Sequence, residues 1–261
     1  MEWINLFRAL VTFGFGALVG SFLNVCITRL PQEDSKERSI LWPRSHCDHC
    51  QKQLPWVDLI PLVSTILLLG RCRFCKAKIS FEYFIVELVT AFLAVWTFDQ
   101  FGFRPQGFAY FLFVASLVVI TAIDIHHRII PDVISLGGTL LGFLLSLHFL
   151  DINYTESLLG ILSGGGFLLL LAWTYFKFTS REGMGGGDIK LAAMIGAFLG
   201  YKSILLVLFL SSILGSVWGL FMILLKKENL RAVLPFGPFL AGAALITLFY
   251  GELILYFLGY S

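Results

Sequence analysis

Charge is what this sequence has least of. Lys, Arg, Asp and Glu together supply 14% of its 261 residues, against about a quarter in a soluble globular domain. So little charge cannot cover a water-facing surface, which argues against a water-soluble fold. Neither sign dominates, the net charge being +2. With no polybasic arm, nothing points to nucleic acid as a partner. The common hydrolase signatures are missing: there is no GxSxG, no HExxH and no Cys/His nucleophile pattern. No strand pattern precedes any glycine cluster, so a dinucleotide-type phosphate loop is not supported either.

What is abundant is apolar length. Hydrophobic residues make up 57% of the chain and gather into runs at about 6–28, 81–99, 107–125, 133–150, 157–177, 188–200, 203–225 and 234–258. Most are near the ~20 residues that cross a bilayer as a helix, and they lack the alternation of a membrane barrel. The expectation is an all-α, polytopic membrane bundle of about eight transmembrane helices, with 188–200 the shortest. The first run, Leu6 to Ile27, is too long for a signal-peptide core and has no small-residue cleavage site, so it should remain as a helix in the lipid bilayer. Three parts follow: a first transmembrane helix (1–28), a polar loop domain (29–80) and a transmembrane core (81–261).

Basic residues set the expected orientation. Of the 19 Lys and Arg, all but Arg8, Arg104 and Lys202 lie in or within two residues of the connections 29–80, 124–132, 178–188 and 226–233. The positive-inside rule then puts those connections in the cytoplasm and the N-terminus outside. That orientation brings DIHHRIIPD (124–132) and EGMGGGD (182–188) to one face. Glycines four apart, Gly16/Gly20, Gly138/Gly142, Gly160/Gly164 and Gly196/Gly200, read as close helix packing.

Four of the five cysteines form two CxxC pairs, Cys47/Cys50 and Cys72/Cys75, separated by 21 residues. That spacing suits a four-thiolate tetrahedral zinc site, structural because four thiolates leave no open position. His46 and His49 need not be ligands. The metal would fold a loop of about fifty residues whose own core is too small. Cys26, inside the first apolar run, reads as an inert small apolar residue.

Two aspartates lack an obvious reason to be where they are. Asp124 closes the apolar stretch FLFVASLVVITAI, and Asp188 opens another after Gly185-Gly186-Gly187. A carboxylate so placed needs a polar cavity or a partner. The glycine run lets the backbone bring one close to an extended peptide. Two carboxylates sharing a proton can serve as base toward a water and as acid toward a carbonyl. The plain alternative is helix capping for each. Asp132, after Pro131, reads mainly as a cap, Lys190 as a headgroup anchor or a neighbour of the pair, and His126, His127 and Arg128 as interfacial loop residues. Glu87, within the second span, is a functional candidate by its cost in lipid, with a packing contact as the alternative. A transporter or scaffold reading would want charges nearer the midplane and an internal repeat, whereas the acidic pair lies at one interface and no repeat is apparent.

These motifs, in this order, resemble the type IV prepilin peptidases. GSFLNVCITRLP (20–31) is similar to that family's N-terminal signature, through Gly20, Ser21, Phe22, Leu23, Asn24, Val25, Arg29 and Pro31. The paired CxxC loop follows, then Asp124 with the downstream Pro131-Asp132, then the GxGD element carried by Gly185, Gly187 and Asp188. The resemblance implies that Asp124 and Asp188 are catalytic aspartates of a bacterial inner-membrane enzyme working at the cytoplasmic face. Its substrates would be prepilins or type II secretion pseudopilins. It also implies N-methylation of the new terminus with S-adenosylmethionine, around the ribbon loop and FEYFIVELVTA (81–91). A basic leader would find acidic residues in Glu33, Asp34, Glu37, Asp48 and Asp58.

Overall fold

A computed structural model describes residues 2–32, 39, 45–47, 49–181, 183–226, 235–257 and 259. Glu33, Asp34, Glu37 and Asp48 lie outside the described residues. Regular structure among the described residues is helical, apart from two isolated antiparallel bridges in the cysteine loop. The chain divides into two compact units, residues 1–119 and 120–261.

In the first unit, α1 (Glu2–Arg29) and α3 (Phe81–Phe101) pack together along a seam of small residues. A methyl group on Gly16 would stand 2.5 Å from Ala94 Cβ, and one on Gly20 would stand 2.7 Å from Glu87 Cα. Those two positions therefore need glycine, as their spacing suggests. Asn24 adds a polar tie by donating from Nδ2 to the Tyr83 carbonyl at 3.0 Å. Between α1 and α3 lie a 3-10 turn (Trp56–Leu59) and the short α2 (Val63–Leu67). Gly102, at φ 71, ends α3. The helix α4 (Pro105–His127) opens on a proline, which suits a first helical position, and its residues through Val119 belong to this unit.

The second unit holds the end of α4 and then α5 (Asp132–Leu145), α6 (Tyr154–Ile161), a π-helical stretch (Leu162–Gly166), α7 (Phe167–Thr179), α8 (Gly186–Lys226) and α9 (Gly237–Phe257). The glycine pairs again mark close contacts. A side chain at Gly160 would collide with the Gly196 carbonyl, and one at Gly196 with the Gly160 carbonyl. Gly142 lies under Phe198, whose Cδ2 would be 2.7 Å from an added Cβ. Ser157 Oγ donates to the Ala197 carbonyl at 2.8 Å, closing the α6–α8 contact with a buried hydrogen bond.

Among the described residues, six helices are long and apolar enough to cross a membrane: Trp3–Arg29, Phe81–Phe101, Pro105–His127, Tyr154–Thr179, Gly186–Leu224 and Gly237–Phe257. The expected span 133–150 is a shorter apolar helix of 14 residues. The expected spans 188–200 and 203–225 fall within α8, yet Gly200 has φ 78 and ψ 175, outside helical geometry. A methyl group on Gly164 would be 2.6 Å from Ala192 O and 2.8 Å from Ile204 Cγ1. Residues twelve apart in a straight helix are separated by about 18 Å, so the two arms of α8 fold back on each other at Gly200. Among the described residues, eight long apolar helical segments result, with large side chains such as Phe92, Leu140 and Leu170 exposed along them. This is a multi-pass membrane bundle.

Candidate functional site

The two cysteine pairs have the same local structure. Residues 46 and 53 bridge around the first and 71 and 78 around the second. Cys47 N donates to Lys52 O at 3.0 Å, and Cys72 N to Ala77 O at 2.9 Å. After each second cysteine comes a left-handed residue, Gln51 at φ 56 and Lys76 at φ 59. One knuckle thus repeats the other at an offset of 25 residues. All four sulfurs lie within 4.8 Å of one another, and Cys47 Sγ and Cys75 Sγ are 3.8 Å apart. Tetrahedral coordination with Zn–S bonds of about 2.3 Å puts sulfurs roughly 3.8 Å apart, so the four thiols can hold a metal ion of that kind. Backbone N–H groups of Cys75 and Phe74 donate to the Cys72 thiol and pull its pKa down to about 7. At Cys75 the Ala77 N–H pulls down but burial and the three neighbouring thiols push its pKa up to about 11, so of these two Cys72 is the readier thiolate.

The acidic pair is built in the second unit from helix ends. Asp124 sits in the last turn of α4, which stops when Arg128, at φ 56, returns its N–H to the Asp124 carbonyl at 2.9 Å. A carboxylate at a helix C-terminus does not cap it, since caps for N–H groups belong at the other end. Its side chain is 5% exposed, and Oδ2 accepts from the Gly237 N–H at 3.0 Å. Asp188 lies in the first turn of α8, its own N–H donating to Gly185 O at 3.2 Å. Gly185 borders the Asp188 carboxylate, with an added Cβ 3.6 Å from Oδ2. Gly187 packs on Ile130, in the loop that follows Asp124, where an added Cβ would be 3.0 Å away. The glycine loop that carries Asp188 thus packs on the loop that leaves the end of α4.

Two neighbours differ from expectation. Asp132 opens α5 without capping it. Instead its Oδ1 accepts from Lys190 Nζ at 2.6 Å, which ties the start of α5 to the start of α8. Lys190 is therefore engaged with an acid 58 positions away in sequence. Gly237 was not singled out from the sequence, although Phe236-Gly237-Pro238 opening an apolar run is a visible signal for a backbone donor at a helix start.

Among the described residues, membrane-length apolar helices carry a buried carboxylate at a helix end and a four-cysteine cluster in a loop, which defines a membrane-embedded protein of enzyme-like construction. Sequence comparison narrows that class. Residues 15–101 match the Bacterial Peptidase A24 N-terminal domain, and residues 111–220 match the Type IV leader peptidase family. The chain is 37% identical over 258 residues to the prepilin leader peptidase/N-methyltransferase of Stutzerimonas stutzeri, covering 92% of this chain and 89% of that protein. Its counterpart of that name in Pseudomonas aeruginosa is 36% identical over 265 residues, with 94% and 91% covered. The one from Legionella pneumophila is 32% identical, with 97% and 96% covered. The chain belongs to the type IV leader peptidase family. No solved structure matches it.

Proposed function

We propose that the chain is an aspartic endopeptidase that removes leader peptides from prepilins or type II secretion pseudopilins and N-methylates the new terminus. The observation that carries the peptidase half is the packing of the glycine loop that carries Asp188 against Ile130, in the loop that follows Asp124, with Asp124 nearly sealed from solvent. The ionised member takes a proton from a water. The protonated member hydrogen-bonds to the peptide carbonyl, so the water attacks a polarised carbon. The carboxyl that took the water's proton then gives it to the amide nitrogen as the C–N bond breaks and the carbonyl re-forms. Gly237 N–H orients Asp124, while Gly185 and Gly187 let the loop carrying Asp188 approach. The capping alternative leaves the burial of Asp124 unexplained.

In this reading the protein is a bacterial inner-membrane enzyme with its site toward the cytoplasm, as the basic loops favour. Zinc is the metal that Cys47, Cys50, Cys72 and Cys75 would hold, with a purely structural role in the 29–80 loop domain, leaving 81–261 as the peptidase core. S-adenosylmethionine would supply the methyl group, a step that rests on family membership. The buried carboxylate of the stretch 81–91, Glu87, accepts from Leu62 N–H. Purified enzyme in liposomes, given a prepilin-type substrate with and without S-adenosylmethionine, tests both halves. Leader removal in both samples and one added methyl group only with the donor are expected. An uncut substrate, with enzyme folded and in the membrane, would contradict the proposal.

A further inference from the structure

The stretch between the two cysteine pairs is unlike a water-facing loop. Residues 54–70 read LPWVDLIPLVSTILLLG and contain one charge, Asp58. That carboxylate is turned inward, its side chain 3% exposed, and is gripped by Arg73, whose Nε lies 3.0 Å from both oxygens. The apolar side chains face outward instead: Trp56 is 77% exposed, Leu67 74% and Leu69 83%. Polar in and apolar out is the reverse of what water selects, and a contiguous exposed apolar patch marks a surface meant for another apolar phase.

A second, independent feature gives the depth of this element. Leu62 N donates to Glu87 Oε2 at 2.8 Å, and Glu87 is itself buried. Glu87 lies six residues into α3, about 9 Å along the helix from Phe81. A hydrogen bond there requires the loop to run down beside a membrane-length helix. Leu62 makes that contact from a strained turn: φ is 62 and ψ −48, and Val63 N returns to Pro61 O at 2.6 Å. This is the rare γ-turn, which costs energy and persists where something holds it. An amide without a partner is expensive next to lipid, and Glu87 removes that cost. The remaining turns close on themselves, with Ser64 N to Ile60 O and Ile66 N to Leu62 O at 3.1 Å each.

We propose that residues 56–69 form an interfacial membrane element, embedded in the lipid leaflet beside α3 and pinned there by Glu87. Arg71, Lys76 and Lys78 follow it directly, on the exposed rim of the second cysteine knuckle. They stand at the level of anionic headgroups, which attract such basic residues. The depth of about 9 Å agrees with the ~5–10 Å typical of interfacial helices. The metal loop is then held at the membrane surface by lipid as well as by its covalent ends. It also explains why a carboxylate sits within α3: Glu87 is a positioning residue for the loop.

The test uses the full chain in liposomes of phosphatidylethanolamine and phosphatidylglycerol, with the photocrosslinker p-benzoylphenylalanine at position 67. A reference carries it at position 92, an exposed position well inside α3. After irradiation, mass spectrometry should find acyl-chain adducts at 67 within about threefold of the yield at 92. A yield more than about tenfold lower, or a crosslink to a second polypeptide instead, overturns the proposal. Glu87→Gln retains an acceptor and should keep the adduct at 67, whereas Glu87→Leu should lose most of it. Equal yields in the two variants would overturn the pinning role of Glu87.

Discussion

A single methyl group on Gly237 reaches the acidic pair without touching either aspartate. In Gly237→Ala the new Cβ would stand 2.6 Å from Asp124 Oδ2 and 3.2 Å from its Cγ. Ordinary contact begins near 3.4 Å, so the carboxylate must retreat by roughly 0.8 Å or the start of α9 must shift. Either movement stretches the 3.0 Å hydrogen bond from Gly237 N–H. A misplacement of about 1 Å in a reacting group costs on the order of 100-fold in rate, or about 2.7 kcal/mol of barrier. Overpacking should lower stability by about 1–3 kcal/mol, which leaves the protein folded in the membrane if its stability is ordinary. Initial rates of leader removal at several substrate concentrations separate the two effects. The expected result is kcat down about 100-fold with KM changed less than about threefold, the mark of an interaction used in the transition state. A Gly237→Ala enzyme working within about threefold of wild type would refute the placement of Asp124 at the reacting centre.

Other positions give independent tests. Gly196→Ala drives a methyl group into the Gly160 carbonyl, and should lower the thermal midpoint in detergent by an amount corresponding to about 1–3 kcal/mol. Cys75→Ser removes one of four ligands. The variant should lose its equivalent of bound metal by elemental analysis and become sensitive to protease within 45–80, and a wild-type metal content would count against the tetrathiolate site. Lys190→Ala breaks a partly exposed ion pair with Asp132. It should cost no more than about 1 kcal/mol, with an effect that shrinks in high salt.

The transmembrane architecture was legible because lipid enforces it: a spanning helix must be long and apolar, and both properties are visible in the sequence. Legible too were the glycine contacts, since a helix can approach Ala91 or the Gly160 carbonyl only where a side chain is missing. Gly200 needed the structure. Its spacing from Gly196 marked it as a packing residue, whereas its φ of 78 makes it the point at which α8 reverses. The cysteine knuckles were readable from spacing alone, because ligand geometry dictates it. The apolar stretch 54–70 was hidden inside a loop taken as polar. Its 3-10 turn and five-residue helix are too short to show a period, and its tie to α3 runs through Glu87, which lies 25 positions from Leu62. Gly237 escaped for a related reason: its role is a backbone N–H, and its partner, Asp124, is 113 positions away.

The most direct measurement is leader removal by wild type, Asp124→Asn and Asp188→Asn in the same membranes, with the amount of folded enzyme matched. Asparagine keeps the shape of the side chain and removes its ability to ionise. Loss of cleavage in both variants, with the protein intact and membrane-inserted, is the predicted result. Cleavage persisting in either variant would contradict a two-aspartate mechanism and leave that residue a structural one.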